Sequence, residues 1–187
     1  PLEDREVHIS RVNAAFTYPA DFILIAAMNP CPCGYLGDPQ RECTCTDGEI
    51  RRYGQKISGP LLDRIDLHVS VMRPKYSELT ATIQGEPSCD IAKRVAEARA
   101  VQAERLSRWH MQSNAQMGHR QLKETCQLDA EGTEMLRVVF EKLHLSARSY
   151  DRIIKVARTI ADLAGSDQIR PEHVAEAISF RNMINGK

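Results

Sequence analysis

Phe22-Ile-Leu-Ile-Ala-Ala-Met28 is a continuous apolar run, and Asn29-Pro30 and then Cys31-Pro-Cys33 follow it directly. An apolar run of this length that does not alternate with polar residues is typical of a strand buried on both faces, as in a parallel sheet. In open α/β sheets, ligands bind beyond the carboxyl ends of the strands. The run therefore predicts a buried strand that brings the polar Asn29 to a ligand site.

Four of the six cysteines lie close together, in the pairs Cys31-Pro-Cys33 and Cys43-Thr-Cys45. A C-x-C pair puts two sulfurs on the same side of an extended backbone. The loop between the pairs contains two glycines and a proline, which allow the second pair to fold back onto the first. Four thiolates complete a closed tetrahedral zinc site, so we predict bound Zn²⁺; the alternative is four reduced loop cysteines without metal.

Composition indicates an ordinary globular protein, because 42% of the 187 residues are hydrophobic and 27% are charged. With 25 basic and 25 acidic side chains, a site for a polyanion has to be a local patch. We find neither a signal peptide nor an apolar run of the ~20 residues that span a membrane. We therefore expect a cytoplasmic protein with no membrane partner. In that compartment cysteines remain reduced, so we expect ordinary thiols at Cys89 and Cys126. Since the chain begins at Pro1, we expect it to be cut from a longer protein.

The first part of the chain has β patterns. Residues 6–11 and 15–18 alternate between apolar and polar side chains, and the short link between them predicts a β-hairpin with Asn13 in the turn. A short helix with a basic cluster is predicted at about residues 47–56, and a further strand at 67–71.

Beyond Pro87 the pattern is helical. One stripe at helical spacing comprises Ile91, Val95, Ala98, Val101, Leu106 and Trp109. Asp129 and Ser146 are predicted to cap two further helices, the second of which ends before Gly165, and Pro171 suits the first turn of a last one. The sequence therefore predicts half of an α/β domain followed by a small helical bundle.

Four strings resemble the ComM/YifB family of magnesium-chelatase-like AAA+ ATPases. They are Glu6-Val-His-Ile-Ser-Arg-Val-Asn-Ala-Ala-Phe16, Ile25-Ala-Ala-Met-Asn-Pro-Cys-Pro-Cys-Gly-Tyr35, Ser58-Gly-Pro-Leu-Leu-Asp-Arg-Ile-Asp-Leu67 and Leu145-Ser-Ala-Arg-Ser-Tyr150. The resemblance extends over essentially the whole chain. It implies that residues 1–73 are the second half of an AAA+ core, a parallel sheet with a pre-sensor-1 hairpin. Residues 74–87 would be a connector and residues 88–187 the helical lid.

The sequence departs from that family pattern in one respect. It contains no G-x-x-x-x-G-K-[ST] loop and no apolar strand that ends in paired acidic residues. We expect these Walker A and Walker B parts to lie upstream of Pro1. The complete protein is therefore expected to be an ATPase that uses ATP and Mg²⁺, whereas this part alone is expected to be inactive.

The resemblance also assigns catalytic roles. Asn29 would be sensor 1, which orients the attacking water or touches the γ-phosphate, and Arg64 would be the arginine finger that reaches the nucleotide of the neighbouring subunit. For Arg64 the alternative is an ion pair with one of the aspartates at positions 63 and 66, and the two interpretations are compatible. Arg51 and Arg52 are the rival fingers.

Two further roles follow from the resemblance. Arg148 would be the nucleotide-binding sensor 2, with an ordinary exposed arginine as the alternative and Arg152 as a rival. The hairpin residues Arg11 and Asn13 would face DNA in the pore of a ring, although an arginine at a hairpin turn is more often simply solvated.

The resemblance implies a homo-hexameric motor that acts on single-stranded or branched DNA, with helicase-like branch migration in natural transformation and recombination as its function. One alternative is a chelatase-type motor that remodels a partner enzyme during metal insertion into a tetrapyrrole. The cysteine loop disfavours it, because the chelatase I-subunit has a shorter acidic connection there. The other alternative is a nonenzymatic zinc-binding interaction module.

Overall fold

A computed structural model describes residues 2–12, 14–74, 76, 80, 85–143 and 145–181. The fold is mixed α/β, with seven α-helices and one two-stranded sheet among these residues. The chain divides into two compact units, Pro1–Ile65 and Asp66–Lys187. None of the helices in these ranges combines the length and the apolar character needed to cross a membrane.

The first unit opens with the predicted β-hairpin. Strand β1 (Glu6–Arg11) pairs antiparallel with strand β2 (Ala14–Pro19), in a register that runs from Glu6↔Pro19 to Arg11↔Ala14. His8 Nδ1 and Thr17 Oγ1 share a cross-strand hydrogen bond of 2.9 Å. The hairpin prediction is confirmed, although Asn13 itself lies outside the described residues.

The predicted burial of the apolar run at residues 22–28 is wrong for this chain. The run has no strand partner, and Ile23 and Ile25 are 89% and 90% exposed. The strand predicted at residues 67–71 does not form either, and Val71 is 89% exposed. A strand needs neighbours to take up its backbone hydrogen bonds, and the two strands of the described residues pair with each other. No parallel sheet forms in these ranges.

Two short helices complete the first unit. Helix α1 (Asp47–Gly54) matches the predicted one and begins with a reciprocal capping box between Thr46 and Glu49. Helix α2 (Gly59–Arg64) was not predicted, although Ser58 caps it and Pro60 lies in its first turn. A serine followed closely by proline is a helix-start signal that could have revealed α2.

The second unit is a helical bundle. It contains α3 (Ser88–Leu106), α4 (His119–Thr125), α5 (Ala130–Lys142), α6 (Ala147–Leu163) and α7 (Pro171–Ser179), with 3₁₀ turns at Ser107–Trp109 and Asn114–Gln116. The predicted caps are confirmed, since Asp129 accepts from the Gly132 N–H and Ser146 from the Ser149 N–H. Gly165, with φ +65°, follows the end of α6 as predicted. The core is formed by fully buried side chains that include Leu106, Met117, Leu136, Ile153, Ala157 and Val174.

The apolar stripe predicted along α3 is only half correct. Ala98 and Leu106 are buried, but Ile91 and Val95 on the same face are 41% and 45% exposed. Near the C-terminal end of α3, Gln102 accepts from the Asn114 N–H and Arg105 donates to Asp162. The first turns of α3 therefore lie outside the hydrophobic core, although their apolar pattern predicts that they are buried in it.

Candidate metal centre

The four clustered cysteines form a compact group of sulfurs, called here the cysteine clip (Cys31, Cys33, Cys43 and Cys45). The Sγ atom of Cys31 lies 3.4 Å from that of Cys33 and 3.7 Å from that of Cys43, and the Cys33–Cys43 separation is 3.5 Å. All four sulfurs lie within 4.8 Å of one another, and all four cysteines are free thiols. Zn–S bonds of about 2.3 Å in a tetrahedron separate the sulfurs by about 3.8 Å. The donor atoms and their spacing thus fit a metal such as zinc.

The loop between the two pairs is folded by its own local contacts. Gly34 has φ +84° and donates its N–H to the Cys31 carbonyl at 3.0 Å, which closes a tight turn around the first pair. The Asp38 carboxylate accepts from the backbone N–H groups of Gln40 and Arg41 at 2.8 and 3.1 Å. The Arg41 guanidinium stacks on the ring of Tyr35, 4.0 Å from its centroid. These contacts bring the second pair back to the first.

The backbone around the clip favours a thiolate at Cys33. Hydrogen bonds from the backbone N–H groups of Tyr35 and Thr44 lower the pKa of Cys33 to about 5. A hydrogen bond from the Cys33 N–H lowers the pKa of Cys45, but desolvation and the neighbouring sulfurs outweigh it and raise that pKa to about 12. A negative charge on Cys33 therefore opposes ionisation of Cys45. A bound cation would remove that opposition and allow all four sulfurs to ionise.

Asn29 lies next to the clip. It is exposed, and its amide Nδ2 and Cγ atoms are 3.8 and 3.9 Å from the position that a Cβ atom on Gly34 would occupy. The structure thus brings the predicted polar sensor and the predicted metal ligands together. The role of Gly34 was not predicted. A glycine directly after a C-x-C pair is the sequence signal for such a turn, because the turn needs a residue with positive φ.

Arg64, the predicted finger, is the last residue of α2. Its Nε atom donates to Glu3 Oε2 at 3.2 Å and its Nη1 atom to the Pro60 carbonyl at 3.0 Å. The side chain remains 34% exposed. Its ion pair with Glu3 had no signal in the sequence, because the two residues are 61 positions apart. The rival fingers Arg51 and Arg52 are exposed in the last turn of α1.

The other predicted site residues are exposed or ion-paired. Arg148 lies exposed in the first turn of α6, in the second unit, and Arg152 one turn later is paired with Asp66. Arg11 is exposed at the end of β1, where the hairpin turns.

Comparison with known proteins places the whole chain in one family. The family described as "Magnesium chelatase, subunit ChlI" matches residues 1–79, and "Magnesium chelatase, subunit ChlI C-terminal" matches residues 85–181. The chain is 40% identical over 186 residues to Competence protein ComM of Haemophilus influenzae, an alignment that covers 98% of this chain and 35% of ComM. It is also 40% identical over 183 residues to protein YifB of Escherichia coli K12, with 97% and 35% covered.

The chain thus spans about a third of the length of the curated relatives that it matches, 35% in each case. Both halves of the chain match the same family, and the resemblance predicted from its sequence strings is confirmed. This chain belongs to the magnesium-chelatase-like family that includes ComM and YifB.

Proposed function

We propose that this chain is the C-terminal part of an ATP-driven, hexameric AAA+ motor that acts on single-stranded or branched DNA. The observation that carries the proposal is its 40% identity, over 98% of its length, to a protein named for competence. Branch migration during DNA uptake and recombination is the function that we assign to the complete protein. Its P-loop and Mg²⁺-binding acids would be supplied by a segment that precedes Pro1.

Within this motor, two side chains would act on the γ-phosphate. Asn29 would orient the attacking water from within its own subunit, and Arg64 would reach the nucleotide of the neighbouring subunit. The partial exposure of Arg64 supports this role, because its guanidinium is accessible to an incoming phosphate. The pair with Glu3 would hold the finger in place until a neighbour docks.

Arg148 and Arg11 would bind phosphates of two different kinds. Arg148 lies in the first turn of α6, where the helix dipole disfavours a cation, and the negative charge of a nucleotide phosphate would offset that effect. Arg11 at the end of β1 would contribute to a ring of positive charge that faces the DNA backbone in a hexamer, and Asn13, which follows two positions later in the sequence, would also bind DNA.

The exposed apolar runs support the larger fold. Residues 22–28 and 67–71 expose large aliphatic side chains whose burial would be favourable. We infer that both runs become strands of a parallel sheet with partners from the rest of the protein. In this arrangement residues 1–73 are half of the ATPase core, 74–87 the connector and 88–187 the lid.

The cysteine clip would hold one Zn²⁺ ion through its four thiolates, a closed structural site. The family descriptions favour a second candidate function, a chelatase-type motor that remodels a metal-insertion enzyme. A nonenzymatic zinc-binding module is the third candidate. Activity of the complete protein separates the three.

The test measures ATP hydrolysis by the complete protein with and without single-stranded and branched DNA. We expect hydrolysis that DNA stimulates, and we expect Arg64→Ala to keep ATP binding while turnover falls on the order of 10³-fold. A rate of ATP hydrolysis that DNA does not change but that an enzyme of the porphyrin pathway increases would support the chelatase candidate. No hydrolysis under any of these conditions would leave the zinc module as the explanation.

A further inference from the structure

We propose that the cysteine clip positions Asn29, so that metal binding at the clip sets the rate of ATP hydrolysis. The inference deepens the proposed function and rests on it, since it takes Asn29 as the residue that orients the attacking water. It assigns Gly34 as a positioning residue that acts through Asn29.

The first link between the clip and Asn29 is covalent. Only Pro30 separates Asn29 from Cys31, and the proline ring fixes its own φ and restricts the backbone of the residue before it. Cys31 is fully buried, at 0% exposure, whereas Asn29 is exposed. The buried Cys31 is therefore joined to the sensor residue Asn29 by a short backbone segment of restricted conformation.

The second link is a contact. Gly34 follows Cys33 directly, and its N–H returns to the Cys31 carbonyl at 3.0 Å. The Asn29 amide lies beside this turn, with Nδ2 3.8 Å from the position that a Cβ atom on Gly34 would occupy. Asn29 thus neighbours a turn that lies between two ligand sulfurs, and a rearrangement of the pair Cys31 and Cys33 would change the surroundings of the amide.

Metal binding gives this support its rigidity. Loops that hold four thiolates gain their order from the metal, because binding free energy becomes folding free energy. A sensor side chain needs accurate placement, since a misplacement of ~1 Å away from the reacting atoms can cost ~10²-fold in rate. Loss of the metal should therefore slow hydrolysis without weakening ATP binding.

A direct test uses the side-chain amide of Asn29 as a reporter in the 187-residue chain. Its ¹⁵N–¹H resonances are compared in protein loaded with zinc, in protein stripped by a chelator, and in the Cys43→Ser variant. We expect them to shift and broaden when zinc is lost, while resonances of α6 stay in place. Identical Asn29 resonances in the loaded and stripped protein would overturn the proposal, whatever the enzyme activity is.

A matched pair of variants tests the consequence in the complete protein. Gly34 and Gly37 both have positive φ, +84° and +81°, so alanine is strained at either position. A Cβ at Gly34 would lie at ordinary van der Waals distance from the Asn29 amide, and nothing lies within 4 Å of a Cβ at Gly37. The backbone shift that relieves the strain of an alanine would therefore move the turn beside Asn29 only in the Gly34 variant. We expect Gly34→Ala to lower turnover ~10- to 100-fold with an unchanged Kd for ATP, and Gly37→Ala to keep turnover near the wild-type rate.

The outcomes are distinct. Equal turnover in the two glycine variants, or equal turnover in zinc-loaded and zinc-free wild-type protein, would refute the positioning role. Absence of ATP hydrolysis in the zinc-loaded wild-type protein would refute the proposed function instead, and the resonances of Asn29 would still decide whether the clip positions it.

Discussion

Asp162 is the residue on which the polar interior of the helical bundle depends. Its side chain is 0% exposed and accepts from Arg105 at 2.7 Å, from the Asn114 amide at 2.8 Å and from Arg158 Nε at 3.0 Å. Arg158 also donates to two carbonyls in the loop after α6, those of Ser166 and Asp167. One buried carboxylate therefore binds two guanidinium groups and links α3, α6 and that loop.

We predict that Asp162→Asn destabilises the helical bundle by ~3–5 kcal/mol, because removing one partner of a buried ion pair leaves the other charges uncompensated. Thermal unfolding monitored by helical circular dichroism measures the loss. The control is Glu134→Gln, which breaks an exposed pair with Arg137 and should leave the unfolding midpoint unchanged. Equal unfolding midpoints for the two variants would show that Asp162 does not stabilise the bundle as predicted.

At the scale of elements, the cysteine loop and α1 form one continuous piece. The last ligand, Cys45, directly precedes Thr46, whose side chain caps α1 and whose N–H bonds Glu49 at 2.9 Å. A metal ion bound by Cys45 would therefore hold the chain directly before the residue that caps α1. The N-terminal part of α3 differs, because its apolar face at Ile91 and Val95 is largely exposed.

We predict one zinc ion per chain in protein purified without added metal, measured by elemental analysis. Cys43→Ser should release it, because a closed site loses one of its four ligands. The cysteine loop should then exchange its amide hydrogens faster while the helical bundle stays folded. Cys89→Ser is the control, since Cys89 lies exposed at the start of α3 and should not affect metal content. Zinc retained by Cys43→Ser would show that the cysteine clip is not the site.

On the scale of the whole molecule, the two units differ in how well they bury their own apolar residues. The described hydrophobic core belongs to the second unit, whereas the first unit exposes Phe22, Ile23 and Ile25. The first unit also carries Asn29 and Arg64, and the second carries Arg148. The residues proposed to bind nucleotide are thus found in both units.

We predict that the 187-residue chain alone hydrolyses no ATP above background, because its sequence contains no phosphate-cradling G-x-x-x-x-G-K-[ST] loop. Release of inorganic phosphate at saturating ATP and Mg²⁺ measures this. Turnover that Arg148→Ala abolishes would contradict the prediction and would mean that the chain holds a complete active site.

Local patterns in the sequence were sufficient for a large part of this protein. The hairpin follows from two alternating segments joined by a short link, and the starts of α5 and α6 follow from Asp129 and Ser146. The cysteine clip follows from two C-x-C pairs and a glycine-containing loop. These features depend on residues close together in the chain, where periodicity, capping and turn chemistry act directly.

Tertiary structure alone decided what each pattern packs against. The run at residues 22–28 has the composition of a buried strand, yet it is exposed because burial requires partner strands that its own sequence cannot specify. The pair of Arg64 with Glu3 and that of Arg105 with Asp162 join residues 61 and 57 positions apart. Asn29 lies near Gly34 because the positive φ of Gly34 lets the chain turn back towards Asn29. Such contacts arise from the path of the backbone, so they exist only once the chain has folded.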